Sequence, residues 1–154
     1  MNGDGSYETF SGYCVDPVES STNPNLYNII AIPNQSNYLQ AAWIFSTFGT
    51  PATNQAAADV QSAIWYVIGS GNDFVFPNGL SAASVTMATN AANAVNIEHW
   101  NDTVGFALAV NPTEGGYYGE GLQDFIIRTA VPEPASLLLL GLGLMGVGII
   151  RKKF

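Results

Sequence analysis

The chain ends in a run of sixteen residues without a charge, 135–150, which three basic residues follow directly. As a helix rising 1.5 Å per residue, the run would span about 24 Å, somewhat less than the ~30 Å hydrocarbon core of a bilayer. A buried C-terminal helix is the alternative, but apolar residues on every side of the run leave no face for solvent. The run therefore predicts a transmembrane helix, with the membrane-stop residues Arg151, Lys152 and Lys153 in the cytoplasm and the rest of the chain outside.

Two prolines stand just before this run, in the order Val131, Pro132, Glu133, Pro134. They break any helix there and leave an extended segment that a processing enzyme can grip. Together, the Pro-Glu-Pro motif, the apolar run and the basic cluster resemble the PEP-CTERM sorting signal of Gram-negative bacteria. The resemblance implies an inner-membrane-anchored precursor and recognition by an exosortase, a membrane cysteine protease. It also implies removal of the tail and release or attachment of the body at the cell surface or in the extracellular matrix.

The body ahead of this signal, 1–130, is strongly acidic. It holds 11 of the 12 acidic residues and a single basic residue, Arg128, so its net charge is −10, from −11 and +1. Such a charge repels phosphate backbones and argues against nucleic acid as a partner. About 130 residues can bury the core of one domain without disulfides or metals. Residues 1–6 lack the basic start and apolar stretch of a secretory signal peptide, so we expect either a true start further upstream or a truncated copy.

The hydrophobic pattern of the body is strand-like near both ends and helical in the middle. Ser36 or Asn37 is expected to cap the first helix, and Thr53 or Asn54 the second, while glycines follow both helices. The pattern predicts an α+β domain, in which an antiparallel sheet carries two or three helices. The predicted strands cover 7–16, 26–32, 104–110 and 123–129, and the predicted helices cover 36–48, 53–68 and 81–96.

One cysteine and one glutamine stand out in the body. Cys14 is the only cysteine of the chain and lies near the end of the first predicted strand, in SGYCVDP. In an exported protein, a lone cysteine is a reactive or intermolecular thiol, or else a small buried apolar residue. Gln61 lies on the second predicted helix, on the face of Ala57 and Ile64, so its amide falls within the apolar stripe. A buried amide requires hydrogen-bond partners.

The segments around these two residues, YCVD and VQSAIW, resemble the two signature motifs of bacterial thioester domains. In that family an aromatic-Cys-hydrophobic-polar tetrad lies on a strand, and the glutamine motif lies on a helix. The resemblance implies that the Cys14 thiolate attacks the Gln61 carboxamide, that ammonia leaves, and that an internal thioester remains. An amine of a surface protein or polysaccharide can then take the acyl group. Apolar walls from Tyr13, Trp43 and Trp65 are expected to exclude water.

Three functions follow from these patterns. The leading hypothesis is a surface or matrix protein that attaches covalently, once per molecule, and is not a turnover enzyme. The alternative is a purely structural matrix component, in which Cys14 is inert and Gln61 hydrogen-bonds a loop. A glycan-binding module would rest on Tyr117 and Tyr118 in a glycine-rich loop. His99, the single histidine, is expected to be a packed or half-exposed residue, and with no catalytic triad order or metal-ligand spacing we expect neither a cofactor nor a metal.

Overall fold

The computed structural model describes residues 10–16, 27–69, 76, 79–111 and 123–129. In these ranges the chain forms three helices and an antiparallel sheet of four strands, which confirms the predicted α+β class. No helix in the described ranges has both the length and the apolar character that a membrane crossing requires. The predicted transmembrane helix lies outside these ranges. In chain order the elements are β1 (Gly12–Cys14), β2 (Asn28–Ala31), α1 (Ser36–Phe48), α2 (Asn54–Ile68), α3 (Ala82–Asn96), β3 (Phe106–Val110) and β4 (Phe125–Arg128).

Side-chain caps define the starts of α2 and α3. Thr53 Oγ1 accepts a hydrogen bond from the Ala56 N–H at 3.2 Å, as the sequence predicts, and Ser81 Oγ accepts one from the Ser84 N–H at 3.0 Å. Such caps satisfy N–H groups that have no partner inside the helix. Ser81 and Ser84 also donate to Asp59, at 2.8 Å to its side chain and 3.0 Å to its carbonyl. These two bonds hold the start of α3 against α2.

The predicted cap of α1 is wrong. The helix begins at Ser36, and the residue in the cap position is Gln35, whose side chain makes no capping hydrogen bond. The Ser36 hydroxyl instead donates to Asn96 Oδ1 at 2.8 Å and accepts from Gln40 Nε2 at 2.9 Å. Ser36 is thus used to join α1 to the end of α3, and Asn37 lies one residue inside the helix.

The sheet has the strand order β1-β4-β3-β2. The two N-terminal strands therefore lie at opposite edges, and β4 lies between β1 and β3. Phe125 of β4 is opposite Cys14 of β1 on one side and Ala109 of β3 on the other. This order places β1 at an edge of the sheet, beside α2.

The helices cover one face of the sheet. Buried residues from all three helices form the main core there with Val15, Leu108 and Ile126. The opposite face carries a smaller cluster, made of Ala107, Ala109 and Ile127 with the half-buried rings of Tyr27 and Phe125. Because residues opposite each other in an antiparallel pair project to the same face, the Cys14 side chain shares the face of Phe125. β1 therefore directs Tyr13 towards the main core and Cys14 towards the face of the smaller cluster.

Candidate functional site

The peptide groups of Cys14 face the outer edge of the sheet. The carbonyl of Ser11 accepts from the Arg128 N–H at 3.0 Å, and the Val15 N–H donates to the Asp124 carbonyl at 2.9 Å. In an antiparallel ladder, every second residue of a strand bonds the same neighbour. Residues 11, 13 and 15 therefore face β4, and the N–H and C=O groups of Cys14 point away from it.

The carboxamide of Gln61 satisfies both of these outward groups. Its Oε1 accepts from the Cys14 N–H at 3.1 Å, and its Nε2 donates to the Cys14 carbonyl at 2.7 Å. We call this pair of hydrogen bonds the amide clamp. The side-chain amide thereby pairs with Cys14 as the backbone of a neighbouring strand would. The structure thus brings together the two residues that the sequence singles out, although 47 positions separate them.

Gln61 reaches the strand from the side of the apolar stripe of α2. The buried residues of this helix are Val60, Ala63, Ile64, Val67 and Ile68, whereas Gln61 is half-buried. The prediction that its amide lies within the stripe is therefore only partly right, since the residue lies at the border that faces β1. Its partner is a strand and not a loop.

The Cys14 thiol is buried and protonated at neutral pH. Its side chain is 6% exposed, and its S–H group donates to the Asp16 carbonyl at 2.8 Å. Burial raises the pKa of the Cys14 thiol to about 11, and the carboxylates of Asp16 and Asp124 contribute to the rise. A hydrogen bond from the Trp65 side chain lowers the pKa and so opposes part of this effect. Only about one thiol in ten thousand is therefore ionised at pH 7.

Two buried carboxylates beside the thiol went unnoticed in the sequence. Asp16 is 3% exposed and Asp124 is 6% exposed. Asp124 Oδ1 accepts from the Asn111 N–H at 2.9 Å, and Gln123 Nε2 donates to the Asp16 carbonyl at 3.1 Å. The signal for Asp124 is a carboxylate inside the predicted strand 123–129, next to the apolar residues that follow it.

The walls of the site differ in part from the prediction. Trp65, one helical turn after Gln61, lies beside the Cys14 thiol and lowers its pKa. Tyr13 lies on the other face of β1, where its ring packs edge-to-face on Phe45 with centroids 5.1 Å apart. Trp43 packs on Phe48 in the same way, at 5.9 Å.

The face of the sheet that carries Cys14 has two aromatic rings that the sequence analysis missed. Tyr27 and Phe125 pack edge-to-face with centroids 5.8 Å apart. Both rings are among the half-buried residues of the smaller cluster. They, with Trp65, supply the apolar surroundings that were expected from Tyr13 and Trp43.

His99 lies apart from this chemistry. It is exposed and has a φ of 58°, the left-handed region that few residues other than glycine adopt. No cluster of three or more His, Cys, Asp or Glu side chains suited to a metal occurs among the described residues. Tyr117 and Tyr118, the basis of the glycan-binding hypothesis, lie outside those residues.

Comparison with known proteins identifies the end of the chain. Residues 130–153 match the family model of the PEP-CTERM protein-sorting motif. This chain is an exported protein sorted by an exosortase. No curated protein and no solved structure matches the chain.

The match assigns a role to the last part of this exosortase-sorted protein. It contains the sorting residues Val131, Pro132, Glu133 and Pro134, the apolar run, and the basic residues Arg151, Lys152 and Lys153. The protein is therefore made as a precursor that passes through the membrane of a Gram-negative bacterium before the exosortase processes it. The matched segment lies outside the described residues, and the division into 1–130 and 131–154 stays a prediction.

Proposed function

We propose that this exosortase-sorted protein forms an internal thioester between Cys14 and Gln61. After export it uses the thioester to attach itself covalently to an amine-bearing surface protein or polysaccharide. Each molecule reacts once, so the protein is not a turnover enzyme. The observation that carries the proposal is the amide clamp, which holds the carboxamide of Gln61 against the one cysteine of the chain.

The contacts of the clamp suit the first chemical step. The sulfur attacks Cδ of Gln61, the C–S bond forms, and negative charge develops on Oε1. The Cys14 N–H already donates to this oxygen at 3.1 Å and stabilises the charge, as a donor of an oxyanion hole does. The thiol has released its proton to water before the attack; the C–N bond then breaks, the departing nitrogen takes up a proton from water, and ammonia leaves.

The second step consumes the thioester. An amine of the target attacks the same carbon, the C–N bond forms, and the C–S bond breaks. One amine proton returns to the sulfur, which leaves an isopeptide link at Gln61 and a free thiol at Cys14. Trp65 favours this step, because its effect of lowering the pKa of Cys14 stabilises the departing thiolate.

The distribution of lysine also supports the proposal. The chain contains only two lysines, Lys152 and Lys153, and both lie in the sorting signal. A reactive acyl group would be consumed by any lysine that could reach it on the same molecule or on a copy. Residues 1–130 contain no lysine, so they can carry a thioester without reacting with the same residues of another copy through this side chain.

The structural alternative has an observation of its own. The amide clamp satisfies a half-buried amide and two peptide groups at a sheet edge, and this stabilises the fold whether or not a covalent bond forms. The raised pKa of Cys14 also favours an inert thiol at neutral pH. In this reading the protein is a matrix component that uses Gln61 to join α2 to β1.

Intact mass separates the two functions. With a thioester, the measured mass of the purified protein is lower by one ammonia than the mass calculated from its sequence. Methylamine then adds to the acyl carbon of Gln61 and exposes one free thiol at Cys14. Cys14→Ala serves as the control and has the unmodified mass before and after methylamine. Full mass in the folded wild-type protein would reject the thioester. Resistance to alkylation alone decides nothing, because a buried thiol with a pKa of about 11 resists alkylation without any bond.

A further inference from the structure

We propose that the target presents its lysine on an extended polypeptide segment, which adds to the sheet as a further strand along β1. The inference rests on the proposed thioester and names the class of target. It concerns the open edge at the start of β1, by which we mean Gly12 and the two residues ahead of the strand, Phe10 and Ser11. All three residues are exposed, and Phe10 is 41% exposed.

The direction of the peptide groups makes this edge a binding surface. Since the carbonyl of Ser11 bonds β4, the alternation of the ladder points the N–H and C=O groups of Gly12 outward, like those of Cys14. At Cys14 these groups are taken by Gln61. At Gly12 they lie on an exposed residue. A strand that forms hydrogen bonds with Gly12 would therefore lie along the outer side of β1, in line with the carboxamide of Gln61.

The spacing brings an added strand next to the reactive carbon. Gly12 and Cys14 are two residues apart along the strand, which corresponds to about 7 Å. The four-carbon stem of a lysine covers a distance of that order. A lysine on a strand paired with Gly12 can therefore reach the acyl carbon of Gln61 while its backbone stays bound.

The residues of the open edge leave it available for pairing. Proteins protect exposed edges with charged side chains and prolines, and Phe10–Gly12 contains neither. Gly12 has no side chain, and the space for one is absent, since a Cβ there would lie 2.6 Å from the Ile126 carbonyl oxygen. The net charge of −10 in the body favours a basic segment. Residues 1–130 of another copy do not supply that segment, because they contain no lysine.

The test compares amines of increasing length on protein whose thioester has been established by intact mass. The probes are methylamine, a capped lysine, and a short capped peptide of alternating threonine and valine with one central lysine. Two further peptides carry N-methyl groups on every second backbone nitrogen, one on the odd and the other on the even positions. Because alternate N–H groups of a strand point to opposite edges, each peptide loses the hydrogen-bond donors of one edge only. We expect the unmodified peptide to react at least about tenfold faster than capped lysine, since its backbone forms two or three hydrogen bonds that capped lysine lacks. One methylated peptide should lose this advantage and the other should keep it.

A variant at the opposite edge completes the design. Ile29 is an exposed residue of β2, so Ile29→Arg places a charge on that edge without adding an amine that could react with the thioester. In this variant the peptide should still react faster than capped lysine. If the two rates became equal, the peptide would bind at β2 and the proposal would be overturned. Equal rates for the peptides and capped lysine, with methylamine still reactive, would overturn it and leave the thioester standing. Full mass and no reaction with methylamine would overturn both.

Discussion

Opening the thioester with methylamine should destabilise the protein by about 4 kcal/mol. A bond between Cys14 and Gln61 closes a loop across 47 positions of the chain. Cross-linking a loop of that length removes chain entropy from the unfolded state, and the relation established for disulfides gives about 4 kcal/mol at 25 °C. The folded state changes little, because the bond from Gln61 Nε2 to the Cys14 carbonyl is absent from both forms: the thioester has no nitrogen there, and the trans methylamide carries its methyl group in place of the donating hydrogen.

Urea unfolding measures this difference directly. With a slope of about 2 kcal/mol per molar urea, a loss of 4 kcal/mol moves the midpoint down by roughly 2 M. Cys14→Ala, treated in the same way, controls for any general effect of methylamine and should not shift. Unchanged midpoints for wild-type protein, with its missing ammonia confirmed by mass, would refute the reasoning, since a bond that spans this loop has to restrain the unfolded chain.

Four other predictions follow from the contacts. Ammonia returns the protein to the open form, from which the thioester can form again. The rate of this re-formation should rise about tenfold per pH unit until the pH reaches about 11, because the thiolate of Cys14 is the attacking species. Intact mass followed over time at several pH values measures the rate. Trp65→Phe removes the indole N–H of a side chain that lowers the pKa of Cys14, so re-formation at a fixed pH should slow, and an unchanged rate would contradict this effect of Trp65 on the thiol. In the Cys14→Ala background, Gln61→Ala should lower the free energy of unfolding in urea by about 2 kcal/mol, because it leaves two peptide groups of residue 14 without partners. The control is Gln55→Ala, which removes one exposed hydrogen bond on the same helix and should lower it by less than about 0.5 kcal/mol. In a host with an exosortase, Glu133→Ala should leave the tail in place, as the mass of the extracellular product would show; normal processing would mean that this carboxylate is not recognised.

The helices were predictable because their signals are local. The periodicity and the following glycines give α1 and α2 ends at Phe48 and Ile68, as predicted. The Thr53 cap of α2 was predictable for the same reason, since the bond joins residues three apart. The cap of α1 was not, because Ser36 bonds Asn96, which is 60 positions away. The local sequence around a residue does not show whether its side chain bonds a partner far along the chain.

The candidate site shows the same division. Residue type and motif order were enough to select Cys14 and Gln61. They did not give the geometry, since the amide clamp exists only because β1 lies at an edge, and strand order is a tertiary property. The predicted apolar walls differ from those in the structure for a related reason. Tyr13 is next to Cys14 in the chain, yet the alternation of side chains along a strand places it on the opposite face of the sheet.

The position of β4 bears on how the protein would carry a mechanical load. β4 ends at Arg128, two residues before the matched sorting segment, and it lies between two other strands. If the processed body is held at this end and linked to a target through Gln61, tension enters at β4 and leaves through α2. A pull along β4 acts on the hydrogen bonds to β1 and β3 together, so they resist in parallel, whereas an edge strand would peel away bond by bond. The strand order would then make the domain resistant to shear between a cell and the surface to which it is bound.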